Sequence, residues 1–244
     1  VIVCSVASGG EGCARTILTK LLPRAFRRPV SSADVEPLLA PFKIAQTLGA
    51  TPEDGLRASL AAVLLSPAFL FKLELDAVPD SGEVRALEPY ELATRLSYAL
   101  WATMPDDALL AAAASGALSS DEGLAAVVDR MLADPRSEGL LDTFVANWLG
   151  YRELPAHEVE ASLFPEYDAP LASAMSEEAR RFFAEFLQSE RPVREMLDAN
   201  FTHVNGRLAA HYGLTLPPGA LPTDFTRIDT TGTSFGSAAT VVIL

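Results

Sequence analysis

The stretch RLSYALWATMPDD, Arg95 to Asp107, decides the fold. It packs a guanidinium, a phenol, an indole, a proline and two adjacent carboxylates together, so it reads either as a reaction centre or as the corner between two helices. Tyr90, Ala93, Leu96, Leu100 and Trp101 trace an amphipathic helix that Pro105 cannot extend. Pro105 suits the first position of a following helix instead. Asp106 and Asp107 then fall in that helix's first turn, where free N–H groups and the helix dipole favour negative charge. Trp101 belongs to the core with its N–H bonded nearby, and Arg95 is expected to pair with one of the two acids. Every residue has a structural task, so the corner is the preferred reading and a catalytic carboxylate pair the alternative.

Working outward, helix punctuation recurs along the chain. Ser31 with Asp34 opens SSADVEPLLAPFKIAQTLG, which Gly49 closes and which Pro37 and Pro41 are expected to divide. Thr51, Pro52 and Asp54 supply a cap, a first-position proline and a first-turn acid for TPEDGLRASLAAVLLS. Ala58 to Phe71 is the longest uncharged apolar run; interrupted by Pro67, it reads as a buried helix and a turn, with AFLFKLEL a short buried segment. Ser119 with Glu122 reads as a capping box for a helix ended by Pro135. In LASAMSEEARRFFAEFLQSE, Ala174, Phe182, Phe183, Phe186 and Leu187 share one face, with Glu177 and Arg181 spaced i, i+4. RPVREMLDA and VNGRLAAHYG read as two short closing helices, and no strand-like alternation precedes residue 216.

The expectation is an all-α chain, a helical bundle of about nine to ten helices in two packed blocks with an irregular C-terminal tail. The boundaries are a small helical module over 1–76, a linker over 77–86, a larger helical module over 87–215 and a Pro-, Thr- and Gly-rich tail over 216–244.

Composition narrows the partners. Of 244 residues 49% are apolar and 21% charged, enough for a substantial core. The formal charge of −13 repels phosphate backbones, so nucleic acid is not expected, and a polybasic membrane patch is missing. No stretch reaches the ~18–20 apolar residues of a membrane span. A lipid anchor at Cys4 is not expected, because no basic stretch precedes it and Val3 stands where a small residue belongs. Cys4 and Cys13 are the only cysteines, and their spacing alone leaves a disulfide and two free thiols both open.

The remaining motifs are weak. GTSFG, Gly232 to Gly236, fits G-x-S-x-G, but a nucleophile at Ser234 asks for a strand before it, a helix after it and a later histidine. The histidines, His157, His203 and His211, all precede it. They lack the spacing of a zinc motif, and no CxxC or CxxCH occurs, so no metal site, no c-type haem attachment and no other cofactor is expected in this segment. Arg24, Arg27 and Arg28 are expected to pair with acids of the chain rather than to bind an anion.

The segments RAFRRPV, LLSPAFLFKLE, LEPYELATRLSYALWATMPDDALL, DRMLADPRS, NWLG and FTHVNGRLAAHYGL, taken in order, resemble blocks of large secreted planctomycete and myxobacterial proteins of unknown function. The resemblance covers roughly Cys13 to Leu214; residues 14–75 look like that family's small helical module and 87–215 like its larger one. It implies export to the periplasm or the exterior and, for some members, a c-type cytochrome domain elsewhere in the chain. It also implies a disulfide between Cys4 and Cys13. Asn205, His211 and Tyr212 match the family pattern, whereas His203 stands where an apolar or aromatic residue is usual, and the tail after Leu214 is unlike it.

The resemblance carries no catalytic residues. The leading reading is a non-catalytic or partly catalytic helical module of an exported multi-domain protein, in a redox or polymer-degrading context, that provides packing and a docking surface. The partners expected are other domains of a longer parent chain, or a separate protein. The alternative is a stand-alone hydrolase of ester, lactone or glycosidic bonds. Its candidate groups are Asp106, Asp107, His157, Glu158, Glu177, Glu178, His203, His211 and Ser234. Two of these carboxylates about 5–10 Å apart would suit glycoside hydrolysis. A calcium surface is a third reading, without an EF-hand loop to support it.

Overall fold

The computed structural model describes residues 3–76, 78, 82, 84–189 and 191–230. The chain is mostly helical and forms two compact units, one of Val1–Tyr98 with Thr103–Val128, the other of Ala99–Ala102 with Asp129–Leu244. Among the described residues no helix is long and apolar enough to cross a membrane.

In the first unit α1 (Val6–Ala25), α2 (Ser32–Thr47) and α3 (Pro52–Leu64) close around Ile17, Leu18, Leu22, Val35, Leu39 and Phe42. Both predicted caps form: Ser31 and Asp34 make a capping box, and the Thr51 hydroxyl accepts the Asp54 N–H at 3.2 Å. α2 runs through Pro37 and Pro41 without the expected division. Each proline removes one ladder bond, and the buried face of Val35, Leu39 and Phe42 holds the helix together across the gaps. Cys4 and Cys13 form a disulfide that ties the chain's start to the third turn of α1, and the helix kinks between them at Gly10, whose φ of 48° suits glycine. A Cβ on Gly9 would lie 2.8 Å from that of Cys13, so the loop closes only over a bare backbone.

Arg27, buried and at a left-handed φ of 57°, turns the chain out of α1. Its guanidinium donates to the carbonyls of Ala68 and Phe71, both at 2.7 Å, and of Phe69 at 3.3 Å. Those carbonyls end the single turn α4 (Pro67–Leu70), where the helix itself offers no donors. The expected pairing of Arg27 with an acid is thus replaced by carbonyl capping, while Arg28 does pair with Asp34 at 2.7 Å. The predicted burial of AFLFKLEL does not hold: Leu70, Phe71 and Leu75 are exposed, as are Leu64 and Leu65 before them. The buried face of α3 is Leu56, Ser59 and Val63, and the extended backbone after α4 has no sheet to join.

α5 (Pro89–Leu100) opens with Glu91, which accepts the N–H groups of Leu75 and Glu88 and pairs with Arg85 at 2.7 Å. Arg95 pairs with Glu74, 21 residues upstream, and not with Asp106 or Asp107 as expected. Asp106 is the N-cap of α6 (Asp107–Ser115), accepting the Leu109 N–H at 2.8 Å, so Pro105 stands one place before the cap rather than at the first helical position. α7 (Asp121–Ala133) is capped by Ser120, whose hydroxyl accepts the Gly123 N–H; Ser119, the expected cap, sits in a 3₁₀ turn.

In the second unit Trp101 is buried and donates its indole N–H to the Met131 carbonyl at 2.9 Å, while the Arg136 guanidinium lies 3.6 Å over its ring. A continuous helical run follows: α8 (Glu138–Leu140), a π-helical turn over Leu141–Val145 and α9 (Ala146–Trp148). A Cβ on Gly139 would meet the Trp101 carbonyl oxygen at 2.6 Å, so this run approaches Trp101 through a glycine. The long helix α10 (Ala169–Leu187) is capped by Asp168 and packs Phe182, Phe183 and Phe186 with Leu141, Tyr151 and Phe201.

The C-terminal part departs from expectation. RPVREMLDA holds a 3₁₀ turn, Val193–Leu197, rather than an α-helix. Phe201–Val204 is a strand, β1, before α11 (Gly206–Tyr212), and Thr226–Asp229 in the supposedly irregular tail is its antiparallel partner β2. The register pairs Phe201 with Asp229 and Val204 with Thr226, and the Thr230 N–H extends it to the Asn200 carbonyl at 2.7 Å. Four residues are too few to display a period of two, which hid both strands.

Replacing both cysteines, Cys4→Ser with Cys13→Ser, is expected to lower stability by about 2–3 kcal/mol through the freed loop. The thermal midpoint should fall, and reductant should reproduce the fall in the native sequence. A midpoint indifferent to both treatments would show that the loop contributes nothing.

Candidate functional site

Each candidate named from the sequence has a definite place. Asp106 caps α6 and Asp107 lies exposed in the same first turn, both in the first unit. The others that are described belong to the second unit. His157 and Glu158 are exposed just after the 3₁₀ turn Tyr151–Ala156. Glu177 pairs with Arg181 on the outer side of α10 at 2.6 Å. His211 is exposed in the last turn of α11, its ring 5.4 Å from that of Tyr212. Ser234 lies outside the described residues. Among the described residues of the second unit, no two of these candidates are bonded to one another.

Two of them do enter side-chain networks. Glu178, 1% exposed, sits on the buried face of α10. Its Oε1 accepts the hydroxyl of Thr202 from β1, and its Oε2 accepts the hydroxyl of Tyr212 from α11 at 2.7 Å. Burial pushes the Glu178 carboxyl above the usual carboxylate range, against the two hydroxyl donors, which favour the anion. Burial likewise raises the Tyr212 phenol, with the Glu178 carboxylate adding to it.

His203, one residue along β1, points away from Thr202 because side chains alternate along a strand. Its Nε2 lies 3.3 Å from Oε2 of Glu185, two turns further along α10 than Glu178. Glu185 also receives Arg227 at 3.0 Å and Arg191 at 3.7 Å. Both guanidiniums lie over the Phe201 ring, Arg227 at 4.1 Å and Arg191 at 4.8 Å, and the His203 ring meets it edge-on. Burial lowers the His203 pKa, opposed by the Glu185 charge.

A polar pocket of about 330 Å³ borders this group, lined by Arg191, Glu195, Asp198, Asn200 and Arg227. A larger, open one of about 600 Å³ is lined by Asp129, Asp134 and Glu138 with Leu132, Pro135 and Leu187. Arg136 beside Asp134 holds that carboxyl at about 2. Neither pocket contains a candidate named from the sequence. Among the described residues no group of three or more His, Cys, Asp and Glu side chains is placed to hold a metal ion.

Sequence reasoning missed Thr202, Tyr212 and the hub at Glu185. The Glu178 signal was present: it stands four residues after Ala174 and four before Phe182, an acid inside an apolar stripe. The hub had no comparable signal, since it gathers residues from α10, β1, β2 and the segment between α10 and β1.

Residues 87–214 match the family described as PSD4, protein of unknown function (DUF1592), and residues 13–74 match PSD5, protein of unknown function (DUF1595). No curated protein and no solved structure matches the chain.

In an NMR pH titration the His203 imidazole is expected to titrate below the ordinary ~6.5 of histidine. A folded pKa lowered in this way adds stability that is complete above pH ~6.5 and is lost as pH falls through the depressed value. A midpoint at or above 6.5 would mean that the Glu185 charge outweighs burial.

Proposed function

The chain belongs to the PSD4 family of proteins of unknown function, and on that premise we propose that it is a non-catalytic packing module of an exported multi-domain protein. Its neighbours would be other domains of the parent chain, in a redox or polymer-degrading context. One observation carries the reading: among the described residues of the second unit no two of the candidate acids and histidines are bonded to one another, and three of the acids have structural roles. Asp106 caps a helix, Glu177 pairs with Arg181, and Glu178 is sealed behind Thr202 and Tyr212. General acid–base catalysis needs such groups within reach of one substrate. Glu178 of α10 is bonded to Thr202, whereas His203, the next residue along β1, meets Glu185 instead, so the two are not brought to one substrate position.

Export agrees with the Cys4–Cys13 disulfide, since such bonds persist in oxidising compartments. It agrees also with the absence, among the described residues, of a helix fit to cross a membrane.

The test is a panel of chromogenic esters, lactones and glycosides, with and without chelator, on protein shown by circular dichroism to be helical. Rates no higher than those of a heat-denatured control are expected. Turnover that disappears in Glu178→Gln or His203→Gln would overturn the proposal and restore the hydrolase reading.

A further inference from the structure

Glu178 joins three elements that are separate in sequence. It projects from α10, and its two oxygens take one hydroxyl from β1 and one from α11. Around it the contact is apolar: Leu171 and Ala174 of α10 pack on Val204, Leu208 and Ala209. Both of its bonding partners are neutral hydroxyls. The charged groups on the surrounding elements are committed elsewhere or point to water. Arg180 pairs with Glu138 and Asp142, Arg181 with Glu177, and Arg207 with Asp168. Arg191, Arg227 and His203 gather on Glu185, and Arg191 also reaches Glu195. Arg152, Glu153, Arg194 and His211 are exposed. The Tyr151 hydroxyl donates to the Leu141 carbonyl. Tyr212 is the titratable group in direct contact.

We propose that Glu178 is a proton-operated latch: protonated, it fastens β1 and α11 to α10, and where the carboxyl is ionised in the opened chain that fastening weakens. A buried carboxyl with neutral partners favours its proton more than the same group in water does. Closing the element therefore binds a proton, and raising the pH works against closure. The sign follows from burial of the carboxyl without a cationic partner, which outweighs the two hydroxyl donors. The contribution is complete below the ordinary carboxylate value of ~4.3, declines as pH rises above it, and levels off once Glu178 ionises in the closed state. His203, on the opposite face of β1, acts with the reverse sign, so the two titrations must be separated.

Amide hydrogen exchange separates them. Protection factors, corrected for the intrinsic pH dependence of exchange, are compared for residues 201–212 between the native sequence and Glu178→Gln, with α1–α3 as the internal control. Relative to Glu178→Gln, the native protein is expected to lose up to about tenfold in protection per pH unit above ~4.3, until the difference levels off. Glu178→Gln, neutral at every pH and similar in shape, should lack that decline while keeping the contribution of His203. The control segment should not differ between the two proteins. Tyr212→Phe removes one hydroxyl that supports the anion, so its levelling-off should move to higher pH. This second variant keeps the test decisive if Glu178→Gln does not fold. Equal slopes in native protein and Glu178→Gln, or a levelling-off unmoved in Tyr212→Phe, would overturn the latch.

Discussion

The long helix α10 has to bury two apolar surfaces in succession, and the second unit is organised by how it does so. Its first half meets Val204, Leu208 and Ala209, and its second half sets Phe182, Phe183 and Phe186 against Leu141, Tyr151 and Phe201. The carboxyl of Glu178 stands between the halves. Removing Glu178 in favour of an aliphatic residue would fill space, yet it would take the acceptor from the buried hydroxyl of Thr202, and a buried donor that loses its partner costs more than a missing bond gains. The polar group is therefore fixed by its neighbours as much as they are by it. The same helix carries Glu185 two turns further on, and the Arg191 and Arg227 that pair with it stack on the ring of Phe201, so one element orders both the apolar core and the ionic cover over it.

A comparable economy operates in the first unit. Arg27 spends a left-handed backbone conformation to bring its guanidinium under the end of α4, where three carbonyls converge. A lysine could not reach all three with a planar fork. α4 is a single turn and would not persist alone; it exists because a cation 41 to 44 residues upstream completes it.

Much of this was legible from local chemistry. The cap at Thr51, the capping box at Ser31, the helix stop at Gly116 and the bonded indole of Trp101 all follow from residue type and spacing. What escaped was whatever depended on a distant partner. Arg95 looked towards the acids eleven and twelve residues ahead and instead took Glu74. β1 becomes a strand only because Thr226–Asp229 returns to pair with it, across a helix and a loop. Leu70, Phe71 and Leu75 looked buried because they are apolar, but burial requires something to cover them. Of the candidate site, the residue types were visible, whereas the partners that Glu178 and His203 take come from a strand whose pairing no short stretch displays.

The two tryptophans occupy contrasting surroundings. Trp101 is 3% exposed, bonded to a carbonyl and covered by the Arg136 guanidinium, whereas Trp148 is 66% exposed at the end of the helical run and stacks on Phe144 with ring centroids 5.9 Å apart. Their fluorescence is consequently divided into a short-wavelength emitter sensitive to the joint between Met131 and Gly139, and a long-wavelength emitter open to soluble quenchers. Iodide, which the acidic surface holds off, and neutral acrylamide would sample the second far more than the first. Without any label, the chain carries one optical reporter of its interior and another of its surface.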